Sequence, residues 1–110
     1  MHYVPNQGDI ILVNFDPQAG YEQKGRRPAL VVSNSIYNQH CKMAMVCPIT
    51  NTNKNHAFHI PLDNDAQTVG VVLCDQVRAL DISARDAVFL ESVSDDFLDK
   101  AIDMICSFIE

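Results

Sequence analysis

Short apolar runs rich in β-branched residues recur through most of this 110-residue chain, and clusters of turn residues separate them. Such runs, bounded by Gly, Pro, Asn and Asp, are typical of β-strands. The predicted strands are 9–15, 29–32, 43–49, 57–62, 69–82 and 88–93. No long helical pattern alternates with them, as parallel βαβ units would require. The sequence therefore predicts a mainly β fold, with a mostly antiparallel, strongly bent sheet or a small barrel.

The hydrophobic period changes after Ser94. Seven apolar residues there fall within an arc of about 140° at 100° per residue, which is typical of an amphipathic helix. They are Phe97, Leu98, Ala101, Ile102, Ile105, Phe108 and Ile109. We therefore expect a C-terminal helix that is capped by Ser94 or Ser92 and lies on the sheet. The only other helical prediction is one short turn over 34–40, capped by Ser33 or Asn34.

Length and composition limit the class of protein. A chain of 110 residues suits one domain over 1–110. No apolar run approaches the ~20 residues of a membrane span, and the N-terminus lacks the regions of a signal peptide. The four cysteines include no C-x-x-C pair. These features predict a reduced, cytoplasmic protein with no membrane partner.

No cofactor or metal is expected. His56 and His59 are three residues apart on an extended segment, so their side chains point to opposite faces and cannot chelate as a pair. The sequence also contains no Gly-rich phosphate loop, no dinucleotide fingerprint and no Ser-His-Asp order.

The net charge of −6 argues against a nucleic-acid binder when it is taken as a bulk property. Its distribution changes this interpretation. Residues 1–80 contain six acidic and six basic residues, whereas residues 81–110 contain eight acidic and two basic ones. The excess acidity thus belongs to one end of the chain, and any binding of nucleic acid must depend on local contacts.

The stretch from Gly20 to Ser33 has the strongest functional signal. Three of the eight Lys and Arg residues fall within four positions there, next to a carboxylate and an amide. These residues are Glu22, Gln23, Lys24, Arg26 and Arg27. Pro28 joins this polar loop to the apolar run 29–32. A charged loop attached to a rigid strand is a common way to present a binding or catalytic group, although many such loops are only solvated connectors.

The same stretch carries a resemblance that extends over nearly the whole chain. The matching residues are 8–17 (Gly-Asp-Ile-Ile-Leu-Val-Asn-Phe-Asp-Pro), Gly20, 22–23, Gly25, 27–32, 47–50 (Cys-Pro-Ile-Thr), 70–72, 75–76 and 84–85. In these residues the chain resembles the MazF/PemK toxins, the endoribonuclease halves of bacterial toxin–antitoxin pairs. The resemblance implies the SH3-like barrel that MazF shares with the gyrase-poisoning CcdB toxins, followed by a C-terminal α-helix.

Cleavage of RNA without a metal requires an activated 2′-hydroxyl, a stabilised pentavalent phosphate and a proton for the leaving 5′-oxygen. Arg27 suits the second task, because its planar guanidinium matches phosphate oxygens and keeps its charge. By resemblance, Arg27 stands at the family's catalytic arginine and Thr50 at its active-site threonine. Glu22 is the carboxylate nearest to the cations and suits the base for the 2′-hydroxyl, with the positioning of Arg27 as its alternative role.

Asp75 is the fourth catalytic candidate. It interrupts an apolar strand face, so its carboxylate must reach water, a partner or a substrate. In the PemK branch the matching aspartate is assigned a catalytic role with an arginine two residues earlier, where this chain has Leu73. The PemK-branch histidine after the loop glycine is also absent, since Tyr21 stands there, and the resemblance is closer to the MazF branch.

The candidates for RNA contacts are Tyr21, Gln23, Lys24, Arg26, Asn51, Asn53, Lys54 and His56.

The resemblance implies a metal-independent, sequence-preferring endoribonuclease that acts on single-stranded RNA as a growth-arresting toxin. It also implies products with 2′,3′-cyclic phosphate and 5′-hydroxyl ends, a homodimer and a cognate antitoxin. The C-terminal helix and the segment 69–82 are the candidate dimer surfaces. Two alternatives remain open: a non-enzymatic, CcdB-like gyrase poison on the same barrel, and a degenerate member that binds RNA or antitoxin without cutting.

Overall fold

The computed structural model describes residues 3–15, 25–52 and 57–109 of the chain. The strands are β1 (Asp9–Asn14), β2 (Arg26–Val31), β3 (Met43–Thr50), β4 (His59–Pro61), β5 (Val71–Leu73), β6 (Arg78–Asp81) and β7 (Val88–Ser92). The helices are α1 (Ser35–Cys41) and α2 (Asp95–Ser107). None of the helices in these ranges is long and apolar enough to cross a membrane.

All seven strands belong to one antiparallel sheet. Its order is β4-β5-β3-β2-β1-β7, and β6 pairs with β3 beside this path. The predicted antiparallel sheet with a C-terminal helix is thus confirmed. The predicted closure into a barrel is not: within the described part of the chain, no pairing joins the end strands β4 and β7, so the sheet is open.

The second strand begins earlier than its apolar run indicates. Arg26 and Arg27 were predicted to lie in a polar loop, but both belong to β2 and pair with Asn14 and Val13 of β1. Pro28 is also part of this strand, where it faces Leu12. The loop prediction is wrong for the two arginines, because pairing with β1 extends the strand beyond its apolar run into these charged residues.

The segment predicted as one long strand over 69–82 is interrupted. β5 and β6 both pair with β3, but a 3₁₀ turn, Cys74–Gln76, lies between them. β3 pairs with this segment at Ile49↔Val72 and again at Val46↔Arg78. Two residues of β3 lie between these pairs, whereas five residues of the facing segment do. The facing segment therefore contains three extra residues. The predicted alternation therefore fails after Asp75: Val77, which strict alternation puts on the face of Leu73, packs with Val72 and Cys74. The sequence does not show this break, because the extra residues do not interrupt its apolar pattern.

Alternate residues of the central strands enter two separate buried clusters. The helix-face cluster lies under α2 and contains Ile10, Leu30, Cys47, Ile49, Val72, Cys74, Phe97, Ala101 and Ile105. The inner-face cluster lies on the other side and contains Ile11, Val13, Phe15, Ala29, Val31, Ala44, Val46, Leu80 and Ile82. Because neighbouring residues of one strand point to opposite faces, both faces of β1, β2 and β3 are buried.

Side-chain caps begin both helices. The Ser94 hydroxyl oxygen accepts a hydrogen bond from the Phe97 N–H at 3.2 Å, so the predicted cap of α2 is confirmed. The Asn34 side chain accepts from the Tyr37 N–H at 2.9 Å and starts α1. Each cap satisfies a backbone donor that the first helical turn leaves without a partner. α2 therefore starts at a defined residue, which sets Phe97 and Ala101 over the sheet.

A buried carboxylate ties the N-terminal segment to β1 and β7. Asp9 is 4% exposed and accepts hydrogen bonds from the Tyr3 hydroxyl at 2.7 Å, the Asn6 N–H at 2.9 Å and the Ser92 hydroxyl at 3.1 Å. Burial, together with the hydrogen bond to Asp9, raises the pKa of Tyr3 above its usual range. A buried carboxylate is tolerated only when its oxygens are satisfied in this way.

We expect Asp9→Ala to lower the free energy of unfolding by about 2–4 kcal/mol, because three donors lose a charged acceptor. Ser92→Ala removes one of these bonds and should cost about 1 kcal/mol. The control is Asp99→Ala on the exposed side of α2, with an expected change within about 0.5 kcal/mol. Urea unfolding followed by circular dichroism measures all three. Equal effects of Asp9→Ala and Asp99→Ala would contradict a structural role for Asp9.

Candidate active site

Strand pairing brings Arg27 and Thr50 to one face of the sheet. In the β2–β3 ladder Ala29 faces Pro48, and facing residues of antiparallel strands point to the same side. The pairing of β2 with β3 ends at Ala29 and Pro48, and Arg27 lies two residues before the first of these while Thr50 lies two residues after the second. Extending the register by these two residues places Arg27 level with Thr50. Arg27 also faces Val13, whose side chain belongs to the inner-face cluster. The half-buried Arg27 and the Thr50 hydroxyl therefore lie on the inner face, where β2 begins and β3 ends.

The hydroxyl of Thr50 is held in a defined orientation. Thr50 is 9% exposed, and its Oγ1 accepts a hydrogen bond from the Thr52 N–H at 3.3 Å. A hydroxyl that accepts from the backbone keeps its own proton for another acceptor. Thr50 can therefore donate to an anionic oxygen placed between it and the guanidinium of Arg27.

Gly70 packs directly against the backbone of Thr50. A Cβ at position 70 would lie 2.6 Å from the Thr50 carbonyl oxygen and 2.9 Å from Cγ2 of Ile49. Gly70 also has a φ of +148°, which L side chains rarely adopt. Its carbonyl accepts from the Leu62 N–H at 2.9 Å. The absence of a side chain at position 70 thus allows the 62–70 loop to close on the end of β3.

Asp75 is paired with a histidine. Oδ1 of Asp75 lies 2.9 Å from Nε2 of His59, and the Asp75 side chain is 35% exposed. The prediction that this carboxylate must reach water or a partner is confirmed in both respects. His59 was considered in the sequence only as a metal ligand together with His56. Among the described residues, no three His, Cys, Asp or Glu side chains come together as a metal site requires.

The other candidate residues are distributed differently. Arg26 is exposed, and strand alternation points it to the face opposite Arg27. Asn51 follows Thr50 directly and lines a recess of about 440 Å³, with Asp63, Asn64 and Thr68 among its polar walls. The remaining predicted residues lie outside the described part of the chain. They are Tyr21, Glu22, Gln23, Lys24, Asn53, Lys54 and His56.

Glu91 of β7 holds the loop that forms a wall of this recess. Its carboxylate accepts from the Gln67 N–H at 3.0 Å, and from the Thr68 N–H and hydroxyl at 2.6 Å each. The Thr68 hydroxyl, followed by the two backbone donors, lowers the pKa of Glu91. The loop between β4 and β5 is thereby attached to a distant edge of the sheet.

Two thiols lie on the opposite face of the same strands. Cys47 of β3 and Cys74 of the 3₁₀ turn are both free and buried in the helix-face cluster. A hydrogen bond to Cys74, together with burial, raises the pKa of the Cys47 thiol. Cys47 therefore stays protonated at neutral pH and behaves as a small apolar residue.

Three residues near the site were missed in the sequence: His59, Gly70 and Glu91. His59 and Asp75 are 16 residues apart, and Glu91 is 23 residues from Thr68, so no local spacing connects them. Gly70 carried a usable signal, because an isolated glycine at the start of an apolar run often marks a close approach of backbone.

We expect Gly70→Ala to destabilise the protein by about 3 kcal/mol, since the new methyl group collides with Thr50 and Ile49. Gly25→Ala is the matched control, because Gly25 also has a positive φ, +75°, but no atom of the described residues lies within 4 Å of its Cβ position. It should cost about 1 kcal/mol from backbone strain alone. Thermal unfolding compares the two, and equal losses would show that the contact with Thr50 is unimportant.

We expect Glu91→Gln to lower stability by about 1 kcal/mol at neutral pH. The lowered pKa of Glu91 means that its carboxylate stabilises the fold above its unfolded-state pKa and loses this effect as pH falls through the folded-state pKa. The difference between wild type and Glu91→Gln should therefore shrink on acidification from neutral pH to about pH 3. Urea unfolding at both pH values measures it, and a constant difference would contradict the role of the charge.

Comparison with known proteins identifies the family. A family model described as PemK-like, MazF-like toxin of type II toxin–antitoxin system matches residues 6–109. The endoribonuclease toxin ChpB of Escherichia coli (strain K12) is 40% identical over 109 residues, which cover 94% of this chain and 93% of ChpB. Among solved structures, MazF (form I) of Deinococcus radiodurans is 39% identical, with a TM-score of 0.92 and 98% coverage of both chains. A MazE–MazF complex (form II) of the same organism matches with a TM-score of 0.86 and 39% identity, over 98% of this chain and 97% of that one. The chain therefore belongs to the PemK-like, MazF-like toxin family of type II toxin–antitoxin systems.

Proposed function

We propose that the protein is an endoribonuclease toxin that cleaves single-stranded RNA, including mRNA, without a metal ion and thereby arrests growth. The observation that carries this proposal is the placement of Arg27 level with Thr50 on the inner face of the sheet. The arrangement presents a fixed cation and a hydroxyl donor side by side. The endoribonuclease ChpB, which is 40% identical over nearly the whole chain, supports the same reaction class.

The reaction divides among these groups as follows. The 2′-hydroxyl of the RNA attacks the adjacent phosphorus, and negative charge grows on the equatorial phosphate oxygens. Arg27 offsets this charge with two parallel N–H donors, and Thr50 donates its hydroxyl to the same phosphate. The 5′-oxygen departs with a proton taken from solvent water, which leaves a 2′,3′-cyclic phosphate and a 5′-hydroxyl end. Both donors are fixed by strands, so little reorganisation is needed in the transition state.

A base must take the 2′-hydroxyl proton. Glu22 is our candidate, because it precedes the Arg27 strand by only four residues and is the carboxylate nearest to it in sequence. Asp75 is not level with Arg27, since Val71 faces Thr50 and Asp75 lies beyond the end of β5. We therefore assign Asp75 to the RNA-binding surface of the site rather than to proton transfer.

The RNA path extends from Arg27 across the end of β3. Asn51 and the recess beside it supply amide, carboxylate and hydroxyl groups that suit the edge of an unpaired base. We propose that Tyr21, Gln23, Lys24, Asn53, Lys54 and His56 contribute further contacts, as expected from the sequence, whereas Arg26 points to the opposite face and is assigned no contact at the cleaved phosphate. Most contacts from such residues go to phosphates and position the strand, while base contacts select the sequence.

We also propose a protein partner and a setting for this activity. The MazE–MazF complex indicates a MazE-like antitoxin as the partner that inhibits the toxin. A homodimer remains the expected assembly.

Residues 1–110 form one toxin domain in this proposal, because a single sheet supplies both buried clusters. We place the protein in the cytoplasm, where mRNA is available and free thiols such as Cys47 persist.

We expect Arg27→Ala to reduce cleavage of a mixed-sequence single-stranded RNA at least about 100-fold, because the main charge on the phosphate is lost. Arg26→Ala is the matched control, since it removes the neighbouring arginine from the opposite face and should reduce cleavage far less. The assay contains EDTA, and sequencing maps the cut positions and the 2′,3′-cyclic phosphate ends.

Three outcomes would contradict the proposal in different ways. Equal losses in Arg26→Ala and Arg27→Ala would indicate a general electrostatic role rather than stabilisation of one phosphate. Cleavage that stops in EDTA would point to a metal-dependent reaction. Intact RNA from folded, antitoxin-free wild-type protein would favour a toxin that binds RNA, antitoxin or gyrase without cutting, and a gyrase inhibition assay would then separate these cases.

A further inference from the structure

His59 and Asp75 form a hydrogen-bonded pair that is separate from Arg27 and Thr50. Nε2 of His59 and Oδ1 of Asp75 are 2.9 Å apart. The His59 side chain is 13% exposed, whereas that of Asp75 is 35% exposed. The imidazole is thus largely enclosed, and the carboxylate is the member of the pair that solvent or a ligand can reach.

Strand pairing fixes both members of the pair. His59 faces Leu73 in the β4–β5 ladder, and the 3₁₀ turn begins at the next residue. Cys74 of this turn enters the buried cluster under α2, which anchors the turn. The next residue, Asp75, places its carboxylate within hydrogen-bond distance of the imidazole of His59. Because its backbone is anchored and one of its oxygens is occupied, the carboxylate is held ready for a ligand.

The pair lies on the same face of the sheet as Arg27 and Thr50. Val71 faces Thr50, and Leu73 faces His59. Val71 and Leu73 are two residues apart on β5, so they point to the same side, and so do the residues that face them. Two strand spacings and two residues separate Thr50 from His59, which is about 12 Å in standard strand geometry. An RNA strand whose phosphate contacts Thr50 can cover this distance with a neighbouring nucleotide.

A carboxylate on this face restricts what it can contact. It repels the RNA phosphates, so a favourable contact must come from a hydrogen-bond donor, which is either a 2′-hydroxyl or an N–H group of a base. Adenine, cytosine and guanine carry an exocyclic amino group, whereas the single base donor of uracil, N3–H, lies between two carbonyl oxygens that repel a carboxylate. Bases of single-stranded RNA expose these edges to side chains. Asp75 therefore suits an amino-bearing base and disfavours uracil.

We infer that Asp75, held by His59, reads one nucleobase next to the cleaved phosphate and selects a base with an exocyclic amino group over uracil. This inference rests on the proposed ribonuclease activity and deepens its substrate specificity. Asp75 touches the base. His59 acts as a positioning residue, because its ring is too enclosed to serve as a stacking surface for the base.

The test uses short RNAs that share one cleavage site and carry each of the four bases in turn at every flanking position. For each RNA, kcat/KM is measured with wild type and variants. Asp75→Asn should lower the ratio between amino-bearing bases and uracil about tenfold at one position, because the new amide donates to the uracil oxygen. His59→Ala should lower the ratio in the same direction, and His59→Gln should restore it, since its Nε2 amide can donate in place of the imidazole. Asp99→Asn and His40→Gln, both on exposed helical positions, are the controls.

Binding of uncleavable 2′-deoxy analogues of the same RNAs separates base reading from the reaction. Their Kd values should show the same loss of preference in Asp75→Asn. Unchanged ratios in Asp75→Asn at every position would overturn the inference. An equal loss of cleavage on all RNAs with unchanged Kd ratios would also overturn it and assign Asp75 to the reaction. If wild type binds the analogues with this preference but cleaves no RNA, the ribonuclease proposal fails and base reading by Asp75 stands.

Discussion

The fold depends on the burial of both faces of its three central strands. Ile10 and Leu30 pack under α2, while their neighbours Ile11 and Ala29 enter the inner-face cluster. If the β1–β2 or β2–β3 pairing slipped by one residue, the side chains that now lie under α2 would enter the inner-face cluster, and those of the inner-face cluster would move under α2. The register is therefore strongly determined, and with it the positions of polar residues at the strand ends. Arg27 and Thr50 share a face because the same register places neighbouring apolar residues such as Val13 and Ala29 in the inner-face cluster.

The three extra residues opposite β3 account for the second part of the site. They interrupt the ladder between β5 and β6, so the chain leaves the sheet at Cys74 and returns at Arg78. In an unbroken strand, Asp75 would project beside Leu73 on one face. In the 3₁₀ turn Asp75 stays on that face, and its carboxylate reaches His59, which faces Leu73 in the β4–β5 ladder. The turn thus brings together two residues that sequence spacing keeps apart.

Much of the fold follows from local patterns, whereas the site depends on pairing. The apolar runs predict β1, β3 and β7 to within a few residues, and the change of period with Ser94 predicts α2 and its cap. Those signals are local, because each strand or helix must bury its own apolar face. The early start of β2 at Arg26 and the break at Cys74 are set by hydrogen bonds to other strands. No local pattern records such bonds, and the same reason explains why His59 was not connected with Asp75.

The acidic net charge is compatible with an RNA substrate, because the sheet lies between the acidic helix α2 and the face that carries Arg27 and Thr50. The excess acidity lies in the last 30 residues, and Asp96, Asp99 and Asp103 are exposed on α2. α2 covers the helix face, whereas Arg27 and Thr50 lie on the inner face. A sheet and the layer packed on it are about 10 Å apart, which is as large as the Debye length of about 8–10 Å at physiological ionic strength. Exposed carboxylates on the far side are therefore largely screened, and the field that an RNA phosphate meets is set by the residues on its own face. Asp75, whose carboxylate is hydrogen-bonded to His59, lies on that face. In the base-reading role that we propose for it, its charge acts locally on the donors of one base.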